Sequence, residues 1–170
     1  MSWKAHLAQW KPRTSHVADL DDIYSTRILE LAGNISHIGR LPAPDATATA
    51  HSKLCGSTVT IDLKVAGGKV TEFGQVVKAC LLGQSACAVL GREIVGSEPA
   101  ELRRVGADMK AMLKAGGPPP QGRWADLSVL EPVRDFKGRH ASVLLVFDAV
   151  AKALDEIEQR TPSHTTAMPA

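Results

Sequence analysis

The sequence predicts an α+β fold built on a three-stranded antiparallel sheet. Apolar and polar residues alternate over residues 58–65 and Gly67-Gly68 follow at once, which is the pattern of a strand that enters a β-hairpin with a two-residue turn. A looser alternation of Thr and Ala over residues 46–53 predicts a third strand beside this hairpin. The other periodic segments repeat apolar residues at every third or fourth position, as amphipathic helices do. Helices that flank a compact antiparallel sheet are typical of the α+β class.

The predicted hairpin places two cysteines opposite each other. Residues at equal distances from a two-residue turn pair across a regular hairpin, and Cys55 and Cys80 are equally far from the two glycines. An unbroken ladder predicts Cβ atoms about 4.5–5.5 Å apart, close enough for both thiols to bind one metal ion or cluster. A β-bulge would change this register, and Phe73-Gly74 is the expected position, because a glycine inside a strand often marks a bulge. The first of the two hairpin strands is identified by its apolar residues Val59, Ile61, Leu63 and Val65.

In the sequence, helices are predicted both before and after the three strands. The first is capped by Asp19 or Asp21 and ends near Gly33-Asn34 or Gly39. After the hairpin the apolar spacing becomes four, so the second hairpin strand runs directly into a helix that begins at Cys80. The apolar residues that define these two helices are Tyr24, Ile28, Leu31 and Ile35, and then Leu82, Ala86, Leu90 and Ile94.

The second half of the chain is predicted to be helical. One helix opens at Ser97 and Pro99 and stops before a Gly-Pro loop at residues 116–120. A short helix or turn follows at residues 124–132, and a long helix begins after Gly138. His140 lies on the buried stripe of this last helix, at its first turn. The inward residues are Leu102, Val105, Met109 and Met112, then Leu127 and Leu130, then Val143, Phe147, Val150, Leu154 and Ile157.

Length and composition indicate one soluble domain. The chain has 170 residues, of which 44% are hydrophobic and 22% charged, and this is enough for a single core. We expect an N-terminal arm at residues 1–18, a domain at 19–160 and a disordered tail at 161–170. Trp3, Leu7 and Trp10 follow a helical spacing in the arm, which is either a weak presequence, a docking arm or a frayed terminus.

Charge and cysteine usage exclude several classes of protein. The formal charge of +2 and the scarcity of aromatic residues argue against a nucleic-acid partner. No apolar run approaches the ~20 residues of a membrane span. Three cysteines are an odd number, which favours reduced, functional thiols in the cytoplasm over a disulfide framework.

The chemistry of the predicted site is that of two thiolates. Gly56 lets the backbone turn or a ligand approach next to Cys55, and a helix N-terminus lowers the pKa of a thiol such as Cys80. Cys87 lies two helical turns further on, about 10.5 Å away, so it is interpreted as a core residue. His140 is the candidate third ligand, since imidazole binds both zinc and iron. His51 is a weaker candidate, because a histidine on a strand is more often a surface residue.

Three short segments then point to a family: Leu54-Cys55-Gly56-Ser57, Lys78-Ala79-Cys80 entering a helix, and Arg139-His140-Ala141-Ser142 opening the last helix. Over roughly residues 21–154 the chain resembles the iron–sulfur cluster scaffolds of the NifU N-terminal, IscU and SufU group. The resemblance implies helices packed on one face of the sheet and a [2Fe–2S] cluster, iron or zinc at Cys55 and Cys80. It also implies a cysteine desulfurase that supplies sulfur and acceptor apoproteins that receive the cluster.

The chain departs from that family pattern at two positions. Ser57 stands where the family has an aspartate, and the third cysteine falls on His140, or on Ala141 if the alignment moves by one. The leading hypothesis is a carrier on which a cluster is assembled and passed on, and not an enzyme in the turnover sense. The alternative is a zinc-dependent sulfur transferase in which Cys55 or Cys80 accepts persulfide sulfur. A third possibility is a partner protein that kept the fold without the metal.

Overall fold

The computed structural model describes residues 24–161. The predicted N-terminal arm, the caps at Asp19 or Asp21, and residues 162–170 of the predicted tail lie outside the described residues.

The predicted α+β fold is confirmed. The described residues form one antiparallel sheet with the strand order β1-β2-β3, and helices pack on one of its faces. None of the helices in residues 24–161 is long and apolar enough to cross a membrane. The elements are α1 (Thr26–Ala32), β1 (Ala46–His51), β2 (Thr58–Ala66), β3 (Lys69–Lys78), α2 (Leu81–Glu93), α3 (Pro99–Ala115), a 3-10 helix (Gly122–Asp135) and α4 (Lys137–Arg160).

The hairpin has the predicted turn but a different register. Gly67 and Gly68 both have positive φ angles, of 60° and 75°, which glycine adopts without a steric penalty. The register shifts between Lys64 and Val65, because Val65 pairs with Val70 whereas Lys64 pairs with Glu72. Thr71 is therefore the extra residue of a bulge.

This bulge corrects two predictions. Phe73 and Gly74 pair regularly with β2, so the bulge is not at the glycine. Beyond Thr71, residues at equal distances from the turn no longer lie opposite each other, and the ladder ends at the pair Thr58 and Lys78. Cys55 and Cys80 are therefore not a cross-strand pair, and both lie just beyond the strand ends.

The first helix is shorter than its apolar pattern suggests. Ser25 is the N-cap, and its hydroxyl accepts a hydrogen bond from the backbone N–H of Ile28. The helix ends at Ala32, next to Gly33, as predicted, while Ile35 packs on the core from the following loop. The start of α1 is therefore set by Ser25, which caps the helix about one turn later than the predicted cap Asp21.

The core lies between the sheet and the helices, and α4 is its central element. This helix contacts β1, β2, α2 and α3, so its buried stripe meets almost every other part of the described chain. The same helix begins beside Cys80, which follows the end of β3, and its residue Arg139 lines the same cleft as Cys55. Its predicted inward residues Val143, Phe147, Val150 and Leu154 are all buried.

The opposite face of the sheet carries a buried carboxylate that pairs with an exposed arginine. The Asp62 side chain is 0% exposed, and its carboxylate accepts hydrogen bonds from Arg40 at 2.7 and 3.1 Å. Thr47 Oγ1 and the backbone N–H of Leu41 also donate to this carboxylate, at 2.6 and 2.9 Å. Burial raises the pKa of Asp62, but these donors together outweigh it and the pKa is lowered. The pair ties the loop before β1 to the sheet.

Candidate metal centre

Cys55 and Cys80 line one open cleft at the end of the sheet. The turn after β1 carries Cys55, and the junction between β3 and α2 carries Cys80. The structure therefore brings the two predicted thiols to a common site, although the strand register does not do so. The cleft is lined by Cys55, Gly56, Ser57, Lys78, Ala79, Cys80 and Arg139.

The turn that holds Cys55 is closed by its own backbone hydrogen bonds. The N–H of Ser52 donates to the carbonyl of Ser57, and the N–H of Gly56 donates to the carbonyl of Ser52, both at 2.9 Å. Gly56 has a φ angle of 71°, which a residue with a Cβ adopts only with strain. Cys55 is exposed at this turn, so a ligand or a partner protein can reach its sulfur.

Hydroxyl groups surround the Cys55 sulfur. Its Sγ lies 3.3 Å from Ser52 Oγ and 3.1 Å from Ser57 Oγ, and both serines are buried. Hydroxyls next to sulfur favour the thiolate because they can donate to it. The hydrogen bonds with Ser52 and Ser57 lower the pKa of Cys55 to about 7. Cys55 is therefore substantially ionised near neutral pH.

Cys80 is the N-cap residue of α2, as the change of period predicted. Its carbonyl accepts from the backbone N–H of Gln84 at 2.9 Å, while its sulfur makes no capping hydrogen bond. The Sγ instead lies 3.0 Å from Ser142 Oγ on α4. A helix N-terminus favours anionic groups, so this is a suitable place for a thiolate ligand.

Helices α2 and α4 approach each other closely behind the two cysteines. A Cβ built on Gly83 would lie 3.0 Å from both the carbonyl oxygen and the Oγ of Ser142. The missing side chain at Gly83 therefore lets α4 come near enough for Ser142 to reach the Cys80 sulfur. Ser142 is 2% exposed.

The structure does not bring His140 to the thiols. The side chain is buried, but its Nε2 lies 3.0 Å from each of two carbonyl oxygens, those of Val133 and Arg134. Carbonyl oxygens only accept, so Nε2 carries a hydrogen and donates to both. The helical phase correctly predicted that His140 is buried. The prediction that the His140 ring faces the same cavity as the thiols was wrong, because carbonyl groups at the end of the 3-10 helix bind the ring.

The two other candidate residues lie apart from the cleft. Cys87 is buried in α2, and burial raises the pKa of its thiol to about 12, as expected for a core cysteine. His51 ends β1, is exposed and does not line the cleft. Within residues 24–161, no group of three or more His, Cys, Asp or Glu side chains is arranged to hold a metal ion.

The donor set of the cleft fits a thiophilic metal ion or cluster. Two thiols, one of them with a lowered pKa, are soft ligands for iron and zinc. Lys78 and Arg139 line the same cleft and place positive charge beside the sulfurs. Because the cleft offers only the thiols of Cys55 and Cys80, a bound metal ion would need other donors at its remaining coordination positions.

Ser52, Ser142 and Arg139 are site residues that the sequence did not single out. Arg139 and Ser142 belong to the motif Arg139-His140-Ala141-Ser142, but its imidazole is the commoner metal ligand, so the sequence favours His140. The signal for Ser142 was its position beside Ala141, where the third family cysteine would fall.

Comparisons with known proteins identify the chain. The crystal structure of a nitrogen-fixing NifU-like protein (N-terminal) from Brucella abortus is 55% identical, with a TM-score of 0.82, and the match covers 83% of this chain and 98% of that one. The iron–sulfur cluster assembly scaffold protein IscU of Thermotoga maritima is 23% identical over 139 residues, 81% of this chain and 96% of the relative.

A third comparison concerns the fold alone. The structure of a proposed iron–sulfur cluster assembly scaffold protein for the SUF system, from Fervidobacterium islandicum AW-1, superposes with a TM-score of 0.73 at 18% identity, covering 80% of this chain and 99% of that one. No protein-family model matches the sequence. The fold, the 55% identity to the Brucella protein and the curated scaffold relative agree, and the chain therefore belongs to the NifU-like and IscU-like family of iron–sulfur cluster assembly scaffold proteins.

Proposed function

We propose that Cys55 and Cys80 bind an iron–sulfur cluster, of the [2Fe–2S] type, or its iron, and that the protein passes this cargo to acceptor apoproteins. The observation that carries the proposal is the convergence of the two thiols on one open cleft. Thiolates are the ligands that hold such clusters in proteins. A cleft that opens to solvent also suits a cargo that must enter and leave.

The small number of protein ligands suits transfer. A [2Fe–2S] cluster is usually held by four side chains, and this cleft offers two thiols. The remaining positions on iron are then open to water, to small thiols or to a partner protein. An acceptor with free cysteines can therefore displace this protein from the cluster one ligand at a time.

A cysteine desulfurase is the proposed source of the sulfur. Cys55 is exposed and has a lowered pKa, so it presents a thiolate to an incoming persulfide. Zinc can occupy the same two thiolates, because it also prefers sulfur donors. We expect zinc to compete with cluster loading for this reason.

Anaerobic reconstitution tests the proposal. The protein is incubated with ferrous iron, a cysteine desulfurase, cysteine and dithiothreitol, which reduces the persulfide sulfur to sulfide, and cluster formation is followed by visible absorbance and circular dichroism. We expect charge-transfer bands from the parent protein and from the Cys87→Ser control, and their loss in Cys55→Ser and in Cys80→Ser. Adding an apoferredoxin should then move the bands to the acceptor.

Two outcomes would contradict the proposal. One is cluster loading that survives the loss of both Cys55 and Cys80, since the cleft would then not be the site. The other is a parent protein that stays colourless and retains stoichiometric zinc under conditions that load a known scaffold.

A further inference from the structure

We propose that the cleft selects a small thiol that carries a carboxylate, and that the sulfur of this thiol supplies metal coordination which the protein itself lacks. Lys78 and Arg139 are the residues that bind the carboxylate. The inference rests on the proposed function, because the thiol completes the coordination of the same cargo. It names the chemical class of the external ligand and the two side chains that recognise it.

The fixed charge of the cleft is of one sign. Lys78 and Arg139 line it together with Cys55 and Cys80, and no aspartate or glutamate of the described chain is among the lining residues. A cleft lined by charge of one sign concentrates small ions of the opposite sign, because its walls focus the field. When the two thiolates bind a metal cation, their own negative charge is offset. The cleft then favours an anion beside the metal.

Both cations lack an ion-pair partner within residues 24–161. Most arginines in this part of the chain contact a carboxylate, as Arg40 and Arg123 do at 2.7 and 2.6 Å. Neither Arg139, which is half-buried, nor Lys78, which is exposed, makes such a contact. A guanidinium can bind a carboxylate through two parallel N–H groups, and an ammonium adds a point charge. The carboxylate that such groups bind is therefore left for a ligand to supply.

The N-terminus of α2 adds to this preference for an anion. Ala79 and Cys80 line the cleft directly before the helix begins at Leu81. The side chain of Cys80 makes no capping hydrogen bond, and the first turn of α2 contains no acidic residue. The helix dipole therefore contributes partial positive charge next to Lys78.

The size of the cleft and its few thiols indicate a small ligand with a sulfur of its own. The volume is about 460 Å³, within the range of about 300–1,000 Å³ that is usual for small-molecule sites. Iron in a [2Fe–2S] cluster takes more sulfur ligands than Cys55 and Cys80 provide. A thiol whose carboxylate is bound by Lys78 and Arg139 brings its sulfur to the open coordination positions.

Three disulfides of similar size test the charge preference without any metal. They are 3,3′-dithiodipropionate, which is anionic, bis(2-hydroxyethyl) disulfide, which is neutral, and cystamine, which is cationic. A protein thiolate attacks one sulfur of the reagent, forms a mixed disulfide and releases the other half as a thiolate. Mass spectrometry measures each rate at Cys55 and at Cys80. Each rate is divided by that of the same reagent with N-acetylcysteinamide, which removes the reactivity of the disulfide itself.

At low ionic strength we expect the normalised rate of the anionic reagent to exceed that of the neutral one by about fivefold, the effect of one unit charge at about 4 Å in water. Cystamine should react more slowly than the neutral reagent. The double variant Lys78→Gln with Arg139→Gln should lose most of this difference, and so should the parent at high salt. A change in thiol pKa alters all three rates alike, so their ratio isolates the charge of the cleft.

Lys137→Gln is the matched control, since it removes a positive charge two residues from Arg139 in the sequence. Lys137 is exposed and lines a neighbouring cavity and not this cleft. This variant should keep the charge preference of the parent. An equal loss in Lys137→Gln and in the double variant would assign the preference to general surface charge and overturn the inference.

Cobalt(II) binding under anaerobic conditions tests the coordination itself on the full-length protein. The cobalt-loaded protein is titrated with 3-mercaptopropionate or with 2-mercaptoethanol, and added thiolate-to-cobalt bonds are measured by charge-transfer absorbance. We expect the double variant to bind 3-mercaptopropionate at least about fivefold more weakly than the parent does, and 2-mercaptoethanol with unchanged affinity. The comparison is made between proteins because the carboxylate of the thiol can also bind cobalt. Lys137→Gln should behave as the parent does.

The outcomes separate this inference from the proposed function. If the parent binds cobalt at Cys55 and Cys80 but neither measurement depends on Lys78 and Arg139, the inference is wrong and the proposed function stands. If the parent binds no cobalt but the disulfide rates show the charge preference, the anion-binding role of the two cations is supported and the proposed function fails.

Two further results would overturn the inference. One is a charge preference in the disulfide rates without any effect of the double variant on the binding of 3-mercaptopropionate to the cobalt-loaded protein. The other is cluster transfer to an acidic apoferredoxin that depends on Lys78 and Arg139 while the small reagents show no preference, since the two cations would then serve protein docking.

Discussion

Two small polar side chains change the chemistry of Cys55 without any charged partner in contact with its sulfur. Ser52 and Ser57 place their hydroxyls 3.3 and 3.1 Å from Sγ. Each hydroxyl can donate to the thiolate but gains less from the neutral thiol. The position taken by aspartate in the family is thus occupied by a group that favours an anion beside it, whereas a carboxylate would repel one.

We predict that Cys55 reacts with iodoacetamide with a half-maximal rate near pH 7. The thiolate is the reactive form, and the pKa of Cys55 is lowered to about 7 by Ser52 and Ser57. Ser57→Ala should raise this pKa and slow alkylation at pH 7. Peptide mass spectrometry at a series of pH values measures the rate at each cysteine. Cys87, whose pKa is raised to about 12 by burial, should remain unmodified in the folded protein; an equal rate at Cys55 and Cys87 would refute the assignment.

At the scale of elements, the junction between the 3-10 helix and α4 depends on His140. Its Nε2–H donates to the carbonyl oxygens of Val133 and Arg134, at the point where one helix ends and the next begins. The carbonyl of Val133 also accepts from the backbone N–H of Phe136 at 2.9 Å, so the imidazole adds a second donor at this helix end. The imidazole therefore holds the start of α4 against the end of the 3-10 helix.

We predict that His140→Ala lowers the free energy of unfolding by about 0.5–1.5 kcal/mol, the net contribution of a buried hydrogen bond. Urea unfolding followed by circular dichroism measures this value. His140→Gln, which keeps a side-chain N–H donor, should recover part of the loss. Cobalt affinity of the folded His140→Ala protein should stay close to that of the parent. A loss of affinity without a loss of stability would instead support His140 as a ligand.

At the scale of the whole molecule, the buried Asp62 makes the free energy of unfolding depend on pH. Its carboxylate is satisfied by Arg40, Thr47 and the backbone of Leu41. The pKa of Asp62 is lowered in the fold, so the unfolded chain binds its proton at a higher pH than the native protein does. The stabilisation is complete above the unfolded pKa of about 3.9 and is lost as the pH falls through the lower folded value.

We therefore predict that Asp62→Asn is less stable than the parent at pH 7, by about 1–3 kcal/mol for lost hydrogen bonds to a charged group. The difference should shrink as the pH falls below about 4, because the parent then loses the same charge. Urea unfolding at pH 7 and at several values between 2.5 and 4.5, a range around the ordinary Asp pKa, measures both effects. A constant difference across that range would show that the charge of Asp62 is not the cause.

The sequence predicts the arrangement of elements well, and the site only in part. Alternation and helical spacing depend on local burial, so the strands, the Gly67-Gly68 turn and the start of α2 at Cys80 were predicted correctly. The bulge at Thr71 leaves no clear local signal, because it is fixed by pairing across the hairpin. His140 was correctly predicted to be buried, but periodicity gives the side of a helix and not the partner that binds the ring. Ser142 depends on the packing of α2 against α4 at Gly83, which is a contact between distant parts of the sequence.

The turn at residues 52–57 is closed by its own hydrogen bonds and lies outside the strand ladder. The side chains of this turn can therefore be replaced without breaking any pairing between strands. A lineage could alter the reactivity of this cysteine while inheriting the sheet unchanged, and a protein engineer could transplant the turn of a relative onto the same framework. In this fold, the sheet and the chemistry around Cys55 are free to evolve at different rates.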